Sequence, residues 1–273
     1  MIIDGHSHAC GDYLTLANLL ATIDKWGVDK VILVPGELNS NTNYSLPNFA
    51  KLFPNHNVVK IANFISKIAI RLTGKVKEIP AGNKFVYDLT QESHGRIIQF
   101  IWITKQNGNI IDFLDKKYSE WGFHGVKLHQ CWERFSVDSN FFREVAVWTE
   151  KYDLPLFIHP DSDTEVLKII DYKRKHPKLK LIIAHLFGLE LFIKHKFKDD
   201  NLYFDSSCPQ LISAKRLMDA IQFVGVDKIT FGTDSPYGKG NIDKYMKKIK
   251  NLNISNQDRD MILGENMRKL LKI

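Results

Sequence analysis

Eight short apolar runs alternate with amphipathic stretches along almost all of this 273-residue chain, and that alternation constrains its fold more than any other feature. The runs expected as strands are Ile2–Gly5, Val31–Val34, Ile97–Trp102, Gly125–Leu128, Leu156–Ile158, Leu181–Ala184, Leu202–Phe204 and Lys228–Phe231. Between them, stretches such as Leu14–Trp26, Ile110–Trp121, Phe141–Tyr152, Glu165–His176 and Ala214–Phe223 carry apolar residues at helical spacing. Strand then helix, repeated, predicts a parallel sheet covered by helices on its outer surface. Eight units in a chain close to the roughly 250 residues of a one-domain barrel predict a closed (β/α)8 TIM barrel rather than an open doubly wound sheet. No glycine-rich phosphate fingerprint follows the first run, which argues against dinucleotide binding. With 44% hydrophobic residues the chain can bury a large core without staples, and residues 1–273 read as a single domain.

One connection is too long for a simple barrel unit. About sixty residues separate Val34 from Ile97, where a loop and one helix suffice. The segment has helix-like pieces at Asn48–Phe53 and Val59–Leu72 and a turn-rich run from Thr73 to Asn83. Because it leaves a strand at its C-terminal end, residues 40–95 are expected to form a partly helical cap over the mouth, the face where barrel active sites sit. Its basic residues Lys60, Lys67, Arg71, Lys75, Lys77 and Lys84 outnumber its acids Glu78, Asp88 and Glu92. That surplus reads either as a solvated surface or as attraction for an anionic small-molecule substrate.

The net charge of +7 raises the question of nucleic acid. The densest basic cluster, Lys244, Lys247, Lys248 and Lys250, has helical spacing with Tyr245, Ile249 and Leu252 turned inward, the pattern of a solvated helix face. No aromatic-basic interleaving of the kind that stacks bases is present, so no nucleic-acid partner is expected. No apolar run approaches the roughly 20 residues needed to span a bilayer, and the first residues show no secretory signal pattern. Three scattered cysteines, Cys10, Cys131 and Cys208, predict free thiols and a reducing compartment, the cytoplasm by default. All three follow expected strands, one, four and seven, and so should lie toward the active face. Assembly into a homo-oligomer stays open.

Barrel geometry supplies a test for chemistry, since side chains that meet at the active face must sit at C-terminal strand ends. His6 and His8 follow the first run, His159 the fifth and His185 the sixth, and Asp234 closes the eighth in Phe231-Gly232-Thr233-Asp234. His6 and His8, two residues apart in an extended segment, point to one side at roughly 6.6–7 Å along the chain. Imidazoles so placed can converge on one ion with metal–nitrogen bonds of about 2.0–2.1 Å. A lone histidine at a strand end is readily explained as a hydrogen-bonded cap. Five ligand-type residues at four independent strand ends point to a divalent metal, zinc by its preference for nitrogen-rich sites, with manganese or iron as alternatives.

These segments resemble a known family. Ile3-Asp4-Gly5-His6-Ser7-His8, Gly125-Val126-Lys127-Leu128-His129, Phe157-Ile158-His159-Pro160, Ile183-Ala184-His185 and Phe231-Gly232-Thr233-Asp234-Ser235-Pro236 are similar to motifs of the amidohydrolase superfamily. The branch resembled contains aminocarboxymuconate semialdehyde decarboxylase and many metal-dependent hydrolases, and Ile262–Leu271 is similar to its C-terminal segment. The resemblance implies a metal on His6, His8, His159 and Asp234, with the strand-six His185 either a further ligand or acting on water. TatD-type nucleases usually carry an acidic residue on strand four, where this chain has Lys127.

A divalent ion lowers the pKa of bound water from about 15.7 toward 7, so the implied catalyst is a metal-activated nucleophile with Asp234 as proton carrier. Hydrolysis of an ester, lactone, amide or phosphate bond is the leading expectation. Decarboxylation or hydration of a small carboxylated acid is second, and a non-catalytic barrel stapled by the metal is third. Lys127 is expected to act in catalysis or face a substrate carboxylate; the alternative is a carbamate bridging two metals, as in some amidohydrolases. His129 shares the face of Lys127 and is read as substrate-facing or structural, and Arg134 as an anion-binding residue. Asp4 is expected to hold strand geometry or a metal ligand from behind. Ser206, Ser207 and Tyr237 are candidates for the pocket wall, whereas His56, His94, His124, His176 and His195 read as surface or loop residues.

Overall fold

Parallel strands that are apolar on both sides must have both faces covered, and this chain covers them by curling the sheet into a ring. A computed structural model describes residues 1–38, 40–42, 47–54 and 57–273, with Arg71 by its backbone alone. The strands are β1 (Ile3–Ala9), β2 (Lys30–Pro35), β3 (Ile97–Trp102), β4 (Gly125–His129), β5 (Leu156–His159), β6 (Leu181–Ile183), β7 (Leu202–Asp205) and β8 (Ile229–Thr230). The helices are α1 (Leu16–Lys25), α2 (Phe49–Leu52), α3 (Val59–Thr73), α4 (Ile79–Glu92), α5 (Ile110–Trp121), α6 (Asn140–Lys151), α7 (Asp163–Lys175), α8 (Leu189–Lys194), α9 (Ala214–Val224), α10 (Asn241–Lys250), α11 (Asn256–Asp260) and α12 (Asn266–Leu271). Each strand pairs in parallel with the next in sequence order, the topology of a (β/α)8 barrel.

The ring closes by a seam between β1 and the segment that follows β8. Gly5 N donates to Phe231 O (2.9 Å), Asp234 N to His6 O (2.7 Å) and His8 N to Ser235 O (2.7 Å). Glycine is needed at position 5 because a Cβ there would lie 2.7 Å from Phe231 O. Asp4 bolts the same seam: its carboxylate accepts from Thr233 N (2.9 Å), Thr233 Oγ1 (2.6 Å), Ser7 Oγ (2.7 Å) and His6 N (3.3 Å). Burial pushes the Asp4 carboxyl up to about 6 even though these donors favour its ionised form. Strand alternation sends Ile32, Ile98, Phe100, Phe157 and Ile182 into the barrel, where α12 adds Met267 and Leu270. The opposite faces carry Ile101, Val126, Leu128, Ile158 and Ile183 to the helical shell.

Two boundaries shift from the sequence expectation in ways that bear on the site. Strand β1 runs through Ala9, so His6 and His8 lie within the strand rather than after it. The turn-rich run from Thr73 to Asn83 instead begins a regular helix at Ile79. Pro80 occupies its first turn, where a missing N–H costs nothing, and Gly82 permits close approach to Pro35. That helix, α4, packs on β2 and β3 and is therefore the ordinary shell helix of the second unit, although it falls within residues 40–95. Helix α3 lies elsewhere, beside the end of β5: Asn63 Nδ2 donates to Pro160 O (3.0 Å), and Lys67 and Lys60 pair with Asp161 and Asp163 (2.6 Å each). With Lys75 paired to Glu37 and Lys84 to Asp88, much of the basic surplus of this segment is compensated locally. His56 and the Arg71 side chain lie outside the described residues.

Candidate active site

Four of the expected site residues, His6, His8, His185 and Asp234, meet in one largely buried cluster at the C-terminal mouth, with Lys127 beside it. His6 and His8 project inward from β1, and Asp234 reaches them from the turn after β8. Asp234 Oδ1 lies 3.4 Å from His8 Nε2 and 3.6 Å from His6 Nε2, while Oδ2 lies 3.9 Å from His185 Nε2. Both Asp234 (φ 58°) and His185 (φ 54°) adopt left-handed backbone, which turns the chain sharply at the strand end and aims the side chain inward. Asp and His are among the residues that tolerate this conformation best.

The hydrogen-bond partners fix the tautomers. His8 Nδ1 donates to Pro35 O (2.8 Å), leaving its Nε2 lone pair toward Asp234. The Ser207 hydroxyl donates to Asp205 Oδ2 (2.5 Å), so its oxygen accepts from His6 Nδ1 and His185 Nδ1 (2.9 Å each). His6 Nδ1 also faces Asp205 Oδ2 (3.2 Å), and the His185 backbone N–H donates to that oxygen (3.1 Å). Asp205 and Ser207 thus hold two imidazoles with Nδ1 protonated and Nε2 open, the arrangement that orients metal-binding histidines. Burial holds His6 well below the ordinary imidazole range, with the Lys127 charge adding to the effect, so it is neutral. Burial alone would raise the Asp234 carboxyl, but His185, His6 and His8 outweigh it and leave it at about 2.

This donor set fits a divalent cation. Three open imidazole nitrogens around an ionised carboxylate repel one another as lone pairs unless something positive stands among them. The Lys127 side chain supplies positive charge nearby, its Nζ 2.9 Å from His6 Nε2 and 3.8 Å from the centre of the Phe157 ring. Burial drops that amine to about 7 against the pull of Asp234 and Asp205.

The remaining expected residues are placed as follows. His159 ends β5 beside the cluster, but its Nε2 is committed to Asn63 Oδ1 of α3 (2.8 Å). His129 stacks on His159 (ring centres 3.9 Å) and on Trp102 (5.5 Å), and its Nδ1 accepts from Cys131 N (3.2 Å). Arg134 is exposed rather than turned into this buried cluster, because the chain leaves β4 through a turn that buries Trp132 and Phe135 instead. The three cysteines are buried and form no disulfide with one another, Cys10 reaching Tyr237, whose ring lies 4.9 Å from that of His8. Ser207 is in the cluster, whereas Ser206 turns away to Thr230 O and Tyr245. Two residues escape the sequence reading, Asp205 and Asn63. For Asp205 the signal was present: it closes strand seven, one position beyond the expected end.

Comparison with known proteins agrees with this geometry. A family model described as amidohydrolase matches residues 70–273, most of the chain. No curated protein matches the sequence. Among solved structures, 2,6-dihydroxybenzoate decarboxylase in complex with 2,6-dihydroxybenzoate superposes with a TM-score of 0.71 at 17% identity, over 100% of this chain and 99% of the other. A dihydroxybenzoic acid decarboxylase from Polaromonas sp. JS666, with manganese and 2-nitroresorcinol bound, gives 0.70 at 17% identity over 99% and 96%. A probable 2-pyrone-4,6-dicarboxylic acid hydrolase from Acinetobacter baumannii with citric acid bound gives 0.70 at 11% identity over 100% and 99%. At these identities the structural likeness is one of fold. The chain belongs to the amidohydrolase-2 branch of the amidohydrolase superfamily and is one of its enzymes.

Proposed function

We propose that this protein is a divalent-metal-dependent hydrolase of a small anionic substrate, with the ion on His6, His8 and Asp234 and with His185 beside it. The observation that carries this reading is the split carboxylate of Asp234, one oxygen toward His6 and His8 and the other toward His185. A bound divalent ion would supply a Lewis acid and an acidified water. Asp234 Oδ2 is placed to take a proton, and the His185 Nε2 lone pair can share it before it passes to the leaving group. Lys127, buried beside His6, offers positive charge to a substrate carboxylate or a developing oxyanion. His159 has its Nε2 on Asn63, so it would join the ligands through Nδ1 or by releasing Asn63. Helix α3, through Asn63, acts as a cap over the β5 side of the mouth and limits access of water.

Decarboxylation is the second reading, favoured by the aromatic wall of Trp102, His129, Trp132 and Tyr237, which suits a planar carboxylated ring. Two of the three neighbours named above are decarboxylases. A panel of esters, lactones, phosphodiesters and carboxylated aromatics, assayed with metal-loaded protein and with carbon dioxide measured, separates the two. Ester or lactone cleavage without carbon dioxide is expected. Carbon dioxide release as the sole activity would shift the assignment, and turnover unaffected by chelation would end both.

The same protein should contain one ion per chain and an unmodified Lys127 amine. Lys127 Nζ lies 2.9 Å from His6 Nε2, a contact that suits a hydrogen-bonding amine and supports the single-ion reading over a bridging carbamate. Zinc is the expected ion, and manganese or iron would leave the ligand assignment intact. Two ions per chain with a mass increase of one carbon dioxide on Lys127 would overturn the single-ion assignment.

A further inference from the structure

Helix α3 carries a second, outward face that the barrel does not use. Ile61, Phe64, Ile65, Ile68 and Leu72 are between 50% and 82% exposed. Ile61, Ile65, Ile68 and Leu72 are separated by four, three and four residues, the spacing of an a/d seam in paired helices. At roughly 100–160 Å² apiece the five side chains expose about 650 Å², above the ~300–600 Å² of the largest apolar patch on a typical monomer.

We infer that this stripe is a dimerisation surface, on which α3 packs antiparallel against α3 of a second copy of the chain across a two-fold axis. Two such stripes, completely covered, would bury up to about 1,300 Å², at the lower edge of the ~1,200–2,000 Å² of a stable interface. A two-fold axis makes the contact self-complementary: Ile61 meets Leu72 of the partner copy and Ile65 meets Ile68, an apolar match at every step. Antiparallel alignment also sets opposed helix dipoles side by side. A membrane surface is the less favoured occupant. Interfacial helices present free cations to lipid headgroups, whereas Lys60 and Lys67 of α3 are held by Asp163 and Asp161 of the same chain.

Sedimentation equilibrium of the 273-residue chain should give twice its mass of 31.5 kDa at micromolar concentration. Ile65→Glu/Ile68→Glu should give a monomer with an unchanged circular dichroism spectrum and a dimer dissociation constant raised at least about 100-fold. Mixing Ile65→Cys with Ile68→Cys protein under mild oxidation should cross-link the two, while neither alone does so; the native thiols are buried. A monomeric wild type, a dimer that survives the double glutamate variant, or self-cross-linking of Ile65→Cys alone would each overturn the assignment. Monomeric protein that cosediments with phosphatidylglycerol vesicles through the same residues would replace the second copy with a membrane.

Discussion

Protein in which His6 and His8 are both replaced by alanine is expected to lose its ion, elemental analysis falling from about one divalent metal per chain to less than about 0.1. Even a partner that only orients a ligand costs roughly 10–100-fold in metal affinity, so removing two direct donors should cost at least about 10⁴-fold. The two imidazoles are buried, and each has Nδ1 occupied by a partner of its own, Pro35 O for His8 and the Asp205–Ser207 pair for His6. Their Nε2 atoms therefore have no role in these described contacts except toward Asp234 and Lys127. Full metal content in the double variant would mean that the ion sits elsewhere, and the site assignment would fall with it.

Asp234→Asn should lower kcat/KM by about 10³–10⁴, or roughly 4–5.5 kcal/mol of transition-state stabilisation, while an ion remains bound. Asparagine fits the space and tolerates the left-handed backbone at this position, so the fold should survive. It removes both the charge and the proton-accepting oxygen turned toward His185. A variant that keeps its ion and its activity would show that Asp234 carries no proton. An inactive wild type with a tightly bound ion would instead favour the stapled, non-catalytic barrel.

The barrel was legible in the sequence because each strand is buried on both faces and so reads as a bare apolar run. The convergence of His6, His8, His185 and Asp234 was legible because the strand-end rule tests residue type against topology. Asp205 was passed over although it closes strand seven, because an aspartate just past an apolar run also reads as an ordinary turn residue and the run was ended at Phe204. Its role emerges only when His6 from β1 and His185 from the end of β6 converge on it, a contact across 199 residues in the first case. Asn63 was hidden for a similar reason, since nothing local marks one polar residue on an amphipathic helix as reaching His159. The helix at Ile79–Glu92 was masked by Pro80 and Gly82, which read as turn residues until Pro80 is placed in a first turn and Gly82 against Pro35. Arg134 is exposed, and topology alone, which locates a loop and not the direction of its side chains, does not fix what it faces.

The seam that closes the barrel has a consequence for motion. His6 and His8 lie on one lip of that seam and Asp234 on the other, so an ion held by all three would span the junction like a clasp on a hoop. Binding to the closed ring alone would stabilise it by about 4 kcal/mol at a thousandfold excess over the dissociation constant. Amide hydrogen exchange should therefore be slow at Gly5, His8 and Asp234 in loaded protein and accelerate on chelation. The amides of β3 to β6, on the far side of the ring, should keep their protection. Uniform acceleration around the ring would mean that the barrel opens as a whole. Confined to the seam, it would make ion occupancy the control on where this closed sheet first acquires an edge, and with it the exposed backbone that invites pairing with another chain.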